Sequence, residues 1–592
     1  MPPTRPYLVG HFGMAASTHW LATGTAMSVL ERGGNAFDAA AAAGFVLQVV
    51  EPHRNGPGGE VPMVLWDART QSAHVVCGQG VAPAAATIPA FRDLGLEVIP
   101  GTGLLPATVP GAFGAWILLL QRWGTWTLRD ILDYAIGYCR RGYPALPGLV
   151  STLATVADLF RTHWPTSAAT WLPGNALPTA GSMVVNPVLA ETYLRIVTDA
   201  ERGHATRDAQ LAAAAELWYR GFVAEAIGEF CATTRWLDTS GEPHQGLLSA
   251  ADLAAWQPTV EQPASFDYHG YRVLKTGLWG QGPVFLQQLA LLAGFDLDDT
   301  DLRGPDYLHV VTECAKLAFA DREAWYGDSP AAPDTLDHLL DPSYTTARRR
   351  LITETANNDL RPGLLGGREL RLARPPAHPI QRDEPAGTVA PAVTVDGRVR
   401  GDTCHVDVID HLGNVISATP SGGWLQSSPT LPVLGFSLGT RAQMFWLDEG
   451  LPNSLRPGAR PRTTLSPTLA LRDGHPWLAF GTPGGDQQDQ WSLHFFLAVL
   501  HGKLNVQEAI DAPAFHTEHV PSSFFPRIAR PGHLSVEDRF PATTLNELRR
   551  RGHHVDVCGP WTLGRLSAVA KEPRYLAAAA DPRGGEGYAA GR

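Results

Sequence analysis

The sequence predicts an α+β fold, because its first part has mainly helical patterns and its last part mainly strand patterns. Residues 105–350 contain long segments with helical spacing, among them AWILLLQRW and DYLHVVTECAKLAFADREAWYG. From residue 403 onward, short segments alternate apolar and polar residues, as strands do. Residues 358–398 lie between these parts and are rich in Pro, Gly and Arg, so we expect a linker or a functional loop there.

An Ala-rich helix and two strands are predicted near the start of the chain. A turn at residues 33–35 precedes the run AAAAAGFVLQVV, whose residues have high helix propensity. Because small side chains allow close packing, we expect this helix to be central. The segment NGPGG at 55–59 is a tight loop, and residues 61–66 and 74–77 are predicted strands.

A hairpin signal follows residue 403. Residues 403–410 alternate, a Gly-Asn pair makes a turn, and residues 415–419 return as a second strand. The later predicted elements are two strands and a helix, at residues 466–471, 477–480 and 491–500. The chain has no internal repeat.

Composition argues against several classes of protein. The net charge of −11 is spread over 592 residues, whereas a nucleic-acid binder needs a concentrated basic surface. An apolar fraction of 44% with 9% aromatic residues excludes a wholly disordered chain. The longest apolar stretch, residues 39–50, is interrupted by Gln48 and is too short to span a bilayer, so we expect no membrane partner.

Other patterns concern location and cofactors. The six cysteines form no C-x-x-C pair, which is typical of buried free thiols in a reducing compartment. Prolines at positions 2, 3 and 6 interrupt the first residues, so we expect no secretory signal and a cytoplasmic location. Neither a nucleotide-binding fingerprint nor a metal-ligand spacing occurs, so we predict no cofactor and no metal. Only four of the 47 basic residues are Lys, which indicates a GC-rich genome.

Two motifs suggest catalytic or metal-binding chemistry, but a structural role is the favoured interpretation for each. Residues 435–439 match the G-x-S-x-G nucleophile elbow, but that motif needs a strand before it and a helix after it, and Pro432 argues against the strand. His53, His405 and His516 could be ligands or bases, although isolated histidines are more often structural.

The tetrapeptide Asp402-Thr403-Cys404-His405 carries the most chemical information. A Thr that begins a strand after an irregular segment fits a nucleophile exposed by self-cleavage. Its hydroxyl needs a base, and cleavage of the preceding peptide bond creates an α-amino group on the same residue that can accept the proton. On spacing alone, an ordinary strand Thr is the favoured interpretation.

The chain resembles the γ-glutamyltransferase (γ-glutamyltranspeptidase) family of N-terminal-nucleophile hydrolases. The resemblance rests on collinear blocks, namely residues 15–59, VPGAFGAW, DTCHVDVIDHLGNVISATPSGGW, RPRTTLSPTLAL, FGTPGGD, LNVQEAIDAPAFH and ADPRGG. It implies a four-layer αββα sandwich. It also implies a precursor that cuts itself between Asp402 and Thr403. The products are a chain of 1–402, with a flexible tail from about 358, and a chain of 403–592. We expect the two to form a heterodimer, and whether heterodimers pair further is left open.

The resemblance also implies roles for individual residues. Thr403 matches the nucleophile, and Ser421 matches a hydroxyl residue that supports it. Gly484 and Gly485 match the pair whose N–H groups form the oxyanion hole. The substrate-side matches are Gln443, which falls in the acyl pocket, and Thr463 and Thr464, where the family binds the substrate's α-carboxylate.

Three positions depart from the family pattern. The carboxylate-binding Arg falls on Gln79, the ammonium-binding Asp on Trp446, and a pocket Asn on Gly423. Losing the Arg removes a bidentate carboxylate partner, and losing the Asp removes a counter-charge. The catalytic groups therefore match the family, whereas the glutamyl pocket does not.

These departures predict a hydrolase of a small non-glutamyl substrate. It would cut an amide, or a carbon–carbon bond next to a carbonyl in natural-product biosynthesis. The first alternative is a conventional γ-glutamyl transferase or glutathione hydrolase. The second, from another class, is a processed scaffold without catalytic activity.

Overall fold

The computed structural model describes residues 3–298, 300–329, 334–374 and 403–592. The strands in these ranges are β1 (Leu8–Gly10), β2 (Gly13–Ser17), β3 (Val61–Asp67), β4 (Ser72–Gly78), β5 (Tyr143–Pro144), β6 (Met183–Val184), β7 (Trp236–Leu237), β8 (Pro243–His244), β9 (Thr259–Glu261), β10 (Ala264–Tyr268), β11 (Tyr271–Lys275), β12 (Val406–Asp410), β13 (Val415–Ala418), β14 (Thr468–Arg472), β15 (His475–Gly481), β16 (Phe515–Thr517), β17 (His533–Glu537), β18 (His554–Cys558), β19 (Ser567–Lys571), β20 (Leu576–Ala580) and β21 (Tyr588–Gly591).

The α-helices of the same ranges are α1 (Trp20–Glu31), α2 (Ala36–Val50), α3 (Ile88–Asp93), α4 (Ala112–Trp123), α5 (Leu128–Arg141), α6 (Pro147–Thr162), α7 (Pro165–Trp171), α8 (Pro187–Glu201), α9 (Arg207–Tyr219), α10 (Phe222–Thr233), α11 (Ala250–Ala255), α12 (Gly282–Leu292), α13 (Pro305–Trp325), α14 (Thr335–Leu340), α15 (Pro342–Arg349), α16 (Gln488–Leu500), α17 (Val506–Asp511) and α18 (Ala542–Arg550). None of these helices combines the length and the apolarity needed to cross a bilayer.

Two antiparallel sheets of seven strands each form the centre of the described chain. Sheet I has the order β1-β20-β19-β15-β14-β11-β10, and sheet II has the order β21-β2-β12-β13-β3-β4-β9. Apolar side chains from both sheets interlock between them, among them Met14 and Val64 of sheet II and Leu469 and Val569 of sheet I.

Helices cover the outer face of each sheet, which confirms the αββα sandwich. A large apolar cluster joins α2, α4, α5, α8 and α9 to sheet II. A second cluster joins α12, α13 and α16 to sheet I. Every residue of α2 is buried, as expected for a central Ala-rich helix, and Asn35 and Asp38 close its first turn with a capping box.

The predicted hairpin is confirmed and lies in the middle of sheet II. β12 pairs with β13 on one side and with β2 on the other. The expected division into a helical first part and a strand-rich second part is too simple, however. Both sheets take strands from before and after residue 403, including β10 and β11 from the segment predicted to be mostly helical. These strands are short and pair with partners distant in sequence, so local periodicity does not reveal them.

The segment before residue 403 is only partly described. Residues 358–374 contain neither helix nor strand. The rest of the predicted flexible tail, including Asp402, lies outside the described residues.

A buried ion-pair cluster supports the strand that begins at residue 403. The Arg54 guanidinium lies between the carboxylates of Glu51 and Glu586, and all three side chains are nearly or fully inaccessible to solvent. The Cys404 thiol donates to Glu51 Oε2 at 3.2 Å. The cluster therefore ties the residue after Thr403 to α2 and to the chain's C-terminal segment.

We expect Arg54→Leu to lower the free energy of unfolding by about 3–5 kcal/mol, because it leaves two carboxylates buried without a counter-charge. The matched control is Arg129→Leu, whose ion pair with Glu201 is largely exposed, and which we expect to cost less than about 1 kcal/mol. Urea unfolding followed by tryptophan fluorescence measures both. Equal losses in the two variants would show that the cluster contributes no more than a surface pair.

Candidate active site

Thr403 lies at the entrance to the central strand of sheet II. It forms an antiparallel bridge with Ser421, just before β12 and just after β13. The two hydroxyl oxygens, Thr403 Oγ1 and Ser421 Oγ, are 3.2 Å apart, and Thr403 is 1% exposed. The structure thus brings the predicted nucleophile and its predicted supporting hydroxyl into hydrogen-bond contact.

A buried guanidinium lies behind this pair. Arg441 Nη2 donates to Ser421 Oγ at 2.6 Å, and the same guanidinium forms an ion pair with Glu60. Glu60 also exchanges main-chain hydrogen bonds with Ser421, at 2.8 and 3.0 Å. The rings of Trp424 and Phe524 lie 5.1 and 5.5 Å from the guanidinium carbon. These contacts hold Arg441 in one orientation, with its positive charge against the Ser421 hydroxyl.

Burial raises the pKa of Glu60, although Arg441 lies directly against it. Sequence reasoning missed both residues, because their partners are distant in sequence.

Gly484 and Gly485 form a tight turn that leads into α16. Their φ angles are +132° and +54°. A Cβ on Gly484 would lie 2.2 Å from the Trp491 ring, so only glycine fits there. Neither N–H donates a hydrogen bond to another part of the described chain. The turn therefore has two unused donors close to the positive end of a helix, as an oxyanion hole requires.

Two buried carboxylates anchor this glycine turn. Asp486 accepts from the main-chain N and the Oγ of Ser523 at 2.8 and 2.6 Å, and it pairs with Arg322. Burial opposes the charge on Asp486, but Arg322 and Ser523 still hold its pKa below the ordinary value. One turn further along α16, Asp489 pairs with Lys275 at 2.9 Å in full burial.

The two predicted carboxylate-binding threonines have different environments. The Thr463 hydroxyl accepts from the main-chain N of Leu465 at 3.3 Å and so closes a local turn. The Thr464 hydroxyl is buried and has no partner in the described part of the chain. Among the described residues, Thr464 thus has a wholly unpartnered hydroxyl, whereas the Thr463 hydroxyl accepts one local bond and keeps its O–H to donate.

The side chain of Gln443 is held by three hydrogen bonds within the protein. Its side-chain amide donates to the Gly101 carbonyl and to Thr440 Oγ1, both at 3.1 Å. Its side-chain oxygen accepts from the main-chain N of Phe525 at 3.1 Å. These bonds leave the side chain little capacity for a substrate. One face of the Trp446 ring is covered by the Arg527 guanidinium, whose carbon lies 4.2 Å from the ring centre.

Gln79 lies next to a different strand of sheet II from Thr403. It follows β4, and both Ser421 and Glu60 separate that strand from Thr403. Gln79 lines a surface cavity of about 590 Å³, whose other residues include Trp256, Glu261 and Arg460. Its amide donates to the Gly80 carbonyl at 3.2 Å.

Gly423 cannot carry the family's side chain in this backbone. Its φ is +63°, and a Cβ there would lie 2.7 Å from the main-chain N of Gly59. The close approach of the loop at 55–59 therefore explains why the position is glycine.

The other motifs have no catalytic arrangement. Ser437 of the G-x-S-x-G match is buried in a loop, with no strand before it and only a short 3-10 helix (Arg441–Met444) after it, so it is not a nucleophile elbow. His405 is held by Thr419 and Asp407 at 2.8 and 2.9 Å. His53 and His516 are buried, and no group that could hold a metal ion occurs within the described ranges.

Comparison with known proteins identifies the family. A sequence model of gamma-glutamyltranspeptidase matches residues 22–591. The chain belongs to the gamma-glutamyltranspeptidase family.

Individual members of the family share most of their length with this chain. The glutathione hydrolase proenzyme of Bacillus subtilis is 26% identical, over 95% of this chain and 88% of its own. The cephalosporin acylase of Bacillus halodurans is 28% identical, over 100% of this chain and 97% of its own, with a TM-score of 0.82. A solved chain called LmbA2991HD is 52% identical over the full length of both chains, with a TM-score of 0.93. The family and fold inferred from sequence are therefore confirmed, and this member is an N-terminal-nucleophile hydrolase.

We expect Gly423→Asn, which restores the family's residue, to destabilise the protein. Asn tolerates a positive φ, but its Cβ would overlap Gly59, and overpacking of this kind costs about 1–3 kcal/mol. The control is Gly458→Asn, where φ is +70° and nothing lies within 4 Å of a Cβ. Denaturation midpoints measure the difference. If both variants lose the same stability, the contact with Gly59 is not what excludes a side chain.

Proposed function

We propose that this member of the gamma-glutamyltranspeptidase family cleaves itself before Thr403 and then uses Thr403 as a hydrolytic nucleophile. The observation that carries the proposal is the buried chain Thr403–Ser421–Arg441, with a positive charge at its far end. The name of the B. subtilis relative, a proenzyme, supports processing of this chain as well.

Self-cleavage would follow from the chemistry of Thr403 alone. Its Oγ1 attacks the carbonyl carbon of residue 402, the C–N bond breaks, and an ester joins residue 402 to the Thr403 oxygen. Water hydrolyses that ester, which leaves a carboxylate on residue 402 and both a free hydroxyl and a free α-amino group on Thr403. The resulting chains, 1–402 and 403–592, stay together because each contributes strands to both sheets.

The same residue would then hydrolyse the substrate. The α-amino group takes the proton of Oγ1 as the oxygen attacks the substrate carbonyl. The N–H groups of Gly484 and Gly485 stabilise the oxyanion. The proton passes to the leaving nitrogen or carbon, and water then releases the acyl group and regenerates Thr403.

Ser421 and Arg441 act here as positioning residues. A guanidinium can only donate hydrogen bonds, so Ser421 Oγ accepts from Arg441. This polarises the Ser421 hydroxyl, which is then a stronger donor toward a negative charge that develops on Thr403 Oγ1.

The substrate is proposed to be a small non-glutamyl acyl compound. The positions that bind the two charged groups of a glutamyl donor carry Gln79 and Trp446, and the similarity to an acylase supports a different acyl group. Cleavage of an amide and of a carbon–carbon bond next to a carbonyl both start with the same attack. The Arg-rich composition supports natural-product biosynthesis. Six free cysteines, five of them buried, support a cytoplasmic location.

We expect purified protein to run as two bands on a denaturing gel, with Thr-Cys-His-Val as the N-terminus of the smaller chain. Thr403→Ala should remain a single chain, because it lacks the attacking oxygen. Thr419→Ala is the matched control: it removes a nearby buried hydroxyl that follows β13 and bonds His405, and the variant should still be processed. An acyl-enzyme probe that labels the small chain would exclude the inactive scaffold. A persistent single band for the wild type would refute self-cleavage.

We expect kcat/KM on γ-glutamyl-p-nitroanilide to be at least about a hundredfold below that of the B. subtilis glutathione hydrolase measured in parallel. Each unpaired charge of the glutamyl group costs about 2–5 kcal/mol on burial. Every 1.4 kcal/mol of lost binding free energy lowers kcat/KM about tenfold. The processed state is checked on the same preparation. An ordinary rate on this substrate would establish the conventional glutathione-hydrolase alternative instead.

A further inference from the structure

Arg527 is a buried cation that the family's motifs do not account for. It is 5% exposed and has a φ of +69°, a strained backbone conformation for a non-glycine residue. Its Nη2 donates to the carbonyls of Gln443 and Phe445, both at 2.7 Å. Its Nη1 is buried and has no acceptor among the described residues.

The carboxylates nearest to Arg527 already have partners. Glu323 accepts from Arg322 at 2.8 Å and from Arg462 at 2.7 Å. Asp486 pairs with Arg322 and is also held by Ser523. Among the described residues, the guanidinium groups of Arg322 and Arg462 thus pair with both carboxylates, and Arg527 forms no ion pair.

This arrangement is unfavourable for the free protein. Burial lowers the pKa of the Arg527 guanidinium, and the positive charge of Arg462 lowers it further, although Glu323 and Asp486 act in the opposite direction. An anion bound at Nη1 would supply the negative charge that Arg527 lacks.

The segment that carries Arg527 connects the two halves of the candidate site. Ser523 bonds Asp486, which is adjacent to the Gly484–Gly485 turn. Phe524 packs against the Arg441 guanidinium, and Phe525 donates to Gln443. Arg527 is therefore attached on one side to the proposed oxyanion hole and on the other to the residues behind Thr403.

We propose that Arg527 binds a carboxylate of the substrate, so that the substrate is an acyl compound with a carboxylate and no ammonium group in the acyl pocket. The inference rests on the proposed function of Thr403. A guanidinium edge with free N–H groups suits the planar oxygens of a carboxylate. The same cation, stacked on Trp446, repels the ammonium that the family's Asp would bind.

The test uses processed wild-type enzyme and a probe series of short mono- and dicarboxylates, from acetate to adipate, each paired with its amide. Isothermal titration calorimetry measures binding. We expect at least one carboxylate to bind at least about tenfold more tightly than its amide. Arg527→Gln should abolish that preference, and Arg527→Lys should keep part of it. Arg530→Gln should leave the affinity unchanged, because Arg530 is 42% exposed and already paired with Glu518 and Asp556.

Two outcomes overturn the proposal: no carboxylate of the series binds better than its amide, or the preference survives Arg527→Gln in folded, processed protein. Failure of the proposed function is seen separately, by gel and by labelling of Thr403 with the acyl-enzyme probe. A processed and labelled enzyme without a carboxylate preference contradicts only the role of Arg527. An unprocessed wild type that binds carboxylates contradicts only the role of Thr403.

Discussion

The site depends on one buried hydrogen bond, from the Arg441 guanidinium to the Ser421 hydroxyl at 2.6 Å. A guanidinium in a dry interior needs a counter-charge, and Glu60 supplies it while its main chain pairs with Ser421. The same interaction that neutralises Arg441 therefore also sets the position of Ser421, and through it the distance to Thr403. Removing the side chain of Arg441, Glu60 or Ser421 leaves a charge or a polar group buried without a partner.

The sandwich would hold such a site together after the proposed cut in the chain. Thr403 enters sheet II directly, and β12 lies between β2, from the start of the chain, and β13. Cutting the bond before residue 403 removes one covalent link but no strand pairing. The apolar layer between the sheets and the cluster around Arg54 hold both segments in place.

The residues matched to the family's substrate-binding positions differ in charge from the family pattern. The positions matched to an Arg and an Asp hold Gln79 and Trp446, and Gln79 lines a surface cavity. A cation from another segment, Arg527, lies on the Trp446 ring instead. In our proposal the pocket has a positive charge in place of the family's carboxylate, and it therefore suits an acyl group that carries a carboxylate.

The sequence alone determined the family, the α+β class and the hairpin after residue 403, and it predicts the roles of Thr403, Ser421, Gly484 and Gly485, because these depend on local patterns or collinear motifs. It did not reveal Glu60, Arg441 or Arg527, whose partners lie far away along the chain. It also could not show that the Gln443 amide is already engaged. Only the tertiary structure decides such points, because whether a buried polar group is paired depends on which distant segments pack against it.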